Sequence, residues 1–114
     1  MERRLAALLA ADIAGFSRRM EADEEAALAT LEGHQHTARA CVAEFDGRVF
    51  GSAGDSVVAE FASAVQAVRC ALRLQEAIAA RNAALASEHQ MLFRVGVHKN
   101  RRGAGHRGGR GAAG

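Results

Sequence analysis

A chain of 114 residues, 49% apolar and 25% charged, has room for one small domain with a modest core, and this balance excludes a disordered polymer. No apolar stretch approaches the roughly 20 residues needed to cross a bilayer, so no membrane-spanning role is expected. The net charge of +2 is not spread evenly: Lys99, Arg101, Arg102, Arg107 and Arg110 place five positive charges in the last sixteen residues, leaving 1–98 at −3 and removing any argument for a basic binding face on the domain itself.

Glu2-Arg3-Arg4 ahead of Leu5 to Ala11 imitates a secretory leader only faintly, because Asp12 interrupts the apolar run at minimal length; a cytoplasmic protein is expected. Cys41 and Cys70 fall on predicted helix faces without metal-ligand spacing or disulfide density, and they read as buried free thiols in a reducing compartment.

Leu5 to Ala11 is ambiguous, since Ala and Leu favour helix while a short apolar run also fits a buried strand. Asp12 and a Gly15 turn follow. Asp23-Glu24-Glu25 places acids in a first helical turn, where the helix dipole favours them. Leu28, Leu31, Gln35, Ala38, Val42 and Phe45 then recur at three- and four-residue steps as one face of a long helix, which Asp46-Gly47 ends.

Arg48-Val49-Phe50 and Ser56 to Phe61 flank a Gly-rich connection and read as a β-hairpin with Asp55 near its tip. Ser63 with Gln66 three residues on is a capping-box signature for a second helix, with Val65, Val68, Leu72 and Ile78 as its apolar side and an end near Asn82 to Ser87. Met91 to Val97 is the last strand.

Asp12 and Asp55 each sit where an apolar run meets a tight turn, a place from which a carboxylate can face a divalent cation on a polyphosphate. Each acid by itself also reads as an ordinary turn or hairpin residue. The order AADIAGFSRRMEADEE, GRVFGSAGDSVVAEFASAVQAVRCALRLQEAIAARNA and FRVGVH, from about Leu5 to His98, resembles the first part of the catalytic domain of bacterial class III adenylate/guanylate cyclases.

The resemblance implies that Leu5 to Ala11 is a buried strand, giving the order β-α-β-β-α-β of an α+β, ferredoxin-like fold, incomplete relative to a full cyclase domain. If the first crossover returns the chain to a parallel second strand, the hairpin turns at the edge where Asp12 leaves strand one. The topology then brings the two acids together.

The resemblance also implies that Asp12, Asp55 and the backbone carbonyl of Ile13 hold two Mg²⁺ or Mn²⁺ ions, that backbone N–H groups around Gly15 and Phe16 cradle phosphates, and that Arg94 lies near the triphosphate of ATP or GTP. Arg94 also fits an exposed strand charge. Gly51 departs from the family pattern, since many members carry there a lysine that reads the purine. His34, His36 and His98 show no metal-ligand pattern and read as solvent or core histidines.

From Lys99 the composition turns to Gly, Arg and Ala without apolar periodicity, so 1–98 is expected to be a partial cyclase domain and 99–114 a disordered tail. A shifted reading frame in a GC-rich gene is one hypothesis for its origin. Its single Arg-Gly-Gly copy is weak ground for RNA binding. The family's purine-reading aspartate and its transition-state asparagine and arginine belong to the part of the domain beyond this resemblance. An inactive half-site that forms a homodimer or pairs with a full-length cyclase is therefore expected; the alternative is a noncatalytic ferredoxin-like interaction module.

Overall fold

The computed structural model describes residues 6–99, apart from the side chains of residues 52 and 53; the expected tail from residue 100 onward lies outside the described residues. Ala7–Ile13 forms strand β1 despite its helix-favouring composition. Tertiary packing overrides propensity here, because Ala7, Leu9, Ala11 and Ile13 alternate into the core while both edges of β1 are paired. The strand runs two residues further than expected, so Asp12 lies within it and not on the following turn.

A short helix the sequence did not announce, α1 (Phe16–Ala22), follows Gly15, whose φ of 71° puts it in the left-handed region that glycine enters without steric cost. Helix α2 spans Glu24–Glu44, and the Asp23 side chain caps it by accepting from the Ala26 N–H at 3.1 Å. Strands β2 (Arg48–Ala53) and β3 (Ser56–Phe61) form the expected hairpin, with an irregularity between Val49 and Gly51. Ser63 caps α3 (Ala64–Ala83) by accepting from the Gln66 N–H at 3.2 Å. A 3-10 turn at Ser87–His89 leads into β4 (Phe93–Lys99), which begins two residues later than expected and takes in Lys99, paired with Ala7.

The sheet order is β2-β3-β1-β4 with every neighbouring pair antiparallel, so β2 runs parallel to β1 without touching it. This is the ferredoxin-like α+β arrangement read from the element order. The core lies between one sheet face and helices α2 and α3, and includes Leu9, Ile13, Val42, Phe61, Leu74 and Phe93.

Two helix faces differ from expectation. On α3, Val65, Val68 and Leu72 are exposed, Leu72 at 65%, and the buried stripe is Ala67, Cys70, Leu74, Ile78 and Asn82. Both stripes have helical periodicity, and the buried one starts with the smaller residues. On α2, Leu28 is 45% exposed, while Ala27, Thr30, His34 and Cys41 join Leu31, Ala38 and Val42 in the interior. Cys41 and Cys70 are buried and free, and burial pushes the Cys70 thiol up to about 12.

Candidate functional site at one end of the sheet

Alternation along β1 sends Asp12 to the face opposite the helices, between Ser56 of β3 and Arg94 of β4. The Arg94 guanidinium grips its carboxylate with both prongs: Nε donates to Oδ1 at 2.9 Å and Nη2 donates to Oδ2 at 3.1 Å. The pair is open to water, with 69% of the Arg94 side chain and 40% of the Asp12 side chain exposed. Asp55 stands in the hairpin turn next to Ser56, the register partner of Asp12. It too acts on Arg94: the hydrogen bond and charge of Asp12 and the charge of Asp55 together raise the guanidinium above its ordinary value.

The other expected site residues fall around the same end. Ile13 closes β1, and Gly15 with Phe16 opens α1 immediately after it; the N-terminus of α1 has no side-chain cap. Ala14 N–H donates to Leu92 O at 2.9 Å, tying the exit of β1 to the entry of β4. Gly51 lies on β2 opposite Val58. A β-carbon built there meets only Val58 Cβ, at 3.9 Å, so the fold leaves room for a side chain at this position. A shallow groove of about 360 Å³ runs across the exposed sheet face, lined among others by Ala10, Asp12, Ser56, Val58, Arg94 and Gly96.

Two supporting elements were not found in the sequence. Gln35 of α2 donates from Nε2 to the Gly54 carbonyl at 3.0 Å and so holds the turn that bears Asp55. Behind β4, His34 is fully buried. Its Nε2 lies 3.1 Å from both Asn82 Oδ1 and Met91 O, while Arg81 Nε donates to Nδ1 at 3.3 Å, an arrangement that fixes the neutral tautomer with its proton on Nε2. Asn82 clamps Met91 from both sides, donating to its carbonyl at 2.8 Å and accepting from its N–H at 3.0 Å. Burial, the largest influence, lowers the His34 pKa below 6.5, and the charge of Arg81 adds to this against the opposing hydrogen bonds. A single histidine offers no signal of this kind in sequence; Asn82, placed on the buried stripe of α3, is the half that helix phase could have exposed.

Among the described residues no group of three or more His, Cys, Asp or Glu could hold a metal. The residues that would hold a cation at this end are the two carboxylates of Asp12 and Asp55 with the backbone carbonyl of Ile13. Such a hard-oxygen set fits Mg²⁺ or Mn²⁺ when phosphate oxygens and water complete the shell. Among the same residues no helix is long and apolar enough to cross a membrane.

No protein-family model matches the chain. It is 46% identical over 99 residues to a protein of Rhizobium meliloti (strain 1021) assigned as adenylate cyclase 3, an alignment covering 86% of this chain and 17% of that protein. Among solved structures it is similar to an adenylate/guanylate cyclase/hydrolase from Silicibacter pomeroyi, with a TM-score of 0.68 and 35% identity over 87% of this chain and 58% of the other. The guanylate cyclase domain from Catenaria anguillulae in complex with GTP shares the fold, with a TM-score of 0.71 at 19% identity over 85% of this chain and 57% of that one. The chain thus spans only part of each relative. Sequence likeness across most of its length, together with the shared fold, shows that the chain is a portion of a class III adenylate/guanylate cyclase catalytic domain.

Proposed function

We propose that the end of the sheet carrying Asp12, Asp55 and Arg94 is the cation- and phosphate-binding half of a purine nucleotide cyclase site. Its substrate class is ATP or GTP, and its products in a complete site are a cyclic nucleotide and pyrophosphate. The observation that supports this most is that Arg94 grips Asp12 with both prongs while Asp55 stands beside Ser56, the register partner of Asp12, although the two acids are 43 positions apart in sequence. Asp12, Asp55 and the Ile13 carbonyl are the residues to hold one or two Mg²⁺ or Mn²⁺ ions. When bound, the ions supply Lewis-acid activation of the ribose 3′-hydroxyl and neutralise triphosphate charge.

The chain's own groups bind and orient. Arg94 offers a planar fork to phosphate oxygens, and the backbone N–H groups following Gly15 face no Cβ at that residue, which lets a phosphate approach closely. Gly51 presents no side chain to a purine, so base preference is left to other groups. On this reading the family's transition-state asparagine and arginine, and its purine-reading aspartate, belong to the part of the domain beyond the resemblance. Each such donor is worth about 10²- to 10³-fold in rate. This chain by itself then holds nucleotide without cyclising it, and works by pairing with a second copy or with a full-length cyclase. A reducing, cytoplasmic setting agrees with its buried thiols.

Mn²⁺ titration of the full chain, with Asp12→Asn and Asp55→Asn as variants, tests the site: binding should fall in both, and binding indifferent to Asp12→Asn overturns the assignment. Isotope-labelled ATP and GTP with Mn²⁺ test the inactivity. Robust turnover that Asp12→Ala abolishes would show that this chain supplies the missing groups itself.

A further inference from the structure

Both oxygens of Asp12 are occupied by Arg94, and this has a consequence for the order in which ligands enter. A divalent ion approaching that carboxylate meets a fixed positive charge and an acceptor already engaged by two donors. The exposure of the Arg94 side chain, 69%, leaves its guanidinium room to rotate into solvent. The pair is weak enough to exchange, since exposed ion pairs gain little net free energy.

We infer that Arg94 is a place-holder for the cation: it neutralises Asp12 while no cation is bound, competes with a bare divalent ion, and releases Asp12 when an anionic ligand draws its guanidinium away. The inference rests on the reading of Asp12 as a cation ligand. It makes Arg94 a positioning residue whose effect on the cation is exerted through Asp12, and it couples anion and cation binding through one side chain.

The other carboxylate–arginine pair on this sheet face provides an internal control. Arg48 binds Glu60, which pairs with Leu8, four residues along β1 from Asp12. At about 3.3 Å per residue the two pairs stand about 13 Å apart, beyond the screening length of about 8 Å at physiological salt. Removing Arg48 changes the net charge as removing Arg94 does, without touching Asp12.

The experiment is Mn²⁺ binding to the full chain without nucleotide, read by electron paramagnetic resonance, for the unmodified protein, Arg94→Gln, Arg94→Lys, Arg48→Gln and Asp12→Asn. Arg94→Gln should bind Mn²⁺ about fivefold more tightly, the size expected from losing one exposed like-charge competitor. Arg94→Lys, which keeps the charge and loses the fork, should fall between, and Arg48→Gln should match the unmodified chain. Unchanged or weaker binding in Arg94→Gln, or equal tightening in Arg48→Gln, overturns the inference while Asp12-dependent binding keeps the cation site intact. If Asp12→Asn leaves Mn²⁺ binding unaltered in every background, the cation site fails and the inference with it.

Discussion

Strand β4 is tied to the rest of the molecule in two places of opposite character. At its entry, the buried group of His34, Asn82 and the Met91 backbone joins α2, α3 and the chain leading into β4. One residue into the strand, Arg94 grips Asp12 across the exposed face. The buried contact is costly to break because its partners cannot turn to water instead, whereas the exposed pair is cheap to break because water replaces either partner. The difference teaches a division of labour: the interior fixes where β4 lies, and the surface pair is left exchangeable, as the proposed ligand site requires.

The sharpest way to break this comparison is Asn82→Ala, which strips the Met91 N–H of its acceptor and His34 of one partner. It should destabilise the fold by about 2–3 kcal/mol, seen as a drop of about 10 °C or more in Tm by circular dichroism. A loss of only a few tenths would mean that the buried group is not the stronger tie.

Next comes pH. His34 binds its proton less readily in the folded state than in the unfolded chain, so the unfolded state takes up the extra proton as pH falls below 6.5. The sign is therefore a stability that is level above 6.5 and declines as pH moves down from it. Urea midpoints between pH 7.5 and 5 should show that decline, and His34→Gln should flatten it even if the variant is less stable throughout.

A smaller effect is expected for the exposed pair. A double-mutant cycle of Asp12→Asn and Arg94→Gln should give a coupling below about 1 kcal/mol that shrinks with added salt. A coupling of 2 kcal/mol or more would make the pair a structural clamp and sink the place-holder idea. Smallest of all, Gly51→Lys should alter stability by no more than about 0.5 kcal/mol, because the β-carbon meets only Val58 at ordinary contact distance. A large loss would show that glycine is required by the fold.

Much of this was legible before any coordinates. The caps at Asp23 and Ser63 are local hydrogen bonds between residues three apart, so the sequence carries both partners. The hairpin around Gly54-Asp55 and the long helix to Glu44 are likewise local. The facing of α3 was not legible, because Val65, Val68 and Leu72 make as good a helical stripe as the one that is buried. Helix α1 was missed because seven residues carry too little periodicity to stand apart from a turn.

The candidate site divides in the same way. Residue types at turns nominated Asp12 and Asp55 singly, the family resemblance added Arg94, and the topology put the two acids at one end of the sheet. That Arg94 binds Asp12 follows only from the antiparallel register of β1 with β4, a contact spanning 82 positions.

The sequence by itself determined the order of the four strands and the two long helices, the helix caps and the family likeness, because each depends on neighbours in the chain or on motif order. Only the tertiary structure decided which helix faces turn inward, that His34 lies in a buried hydrogen-bonded group, and that Asp12 is held by Arg94. These depend on which distant surfaces pack with the best fit, and that is a property of the assembled sheet and helices that no local stretch encodes.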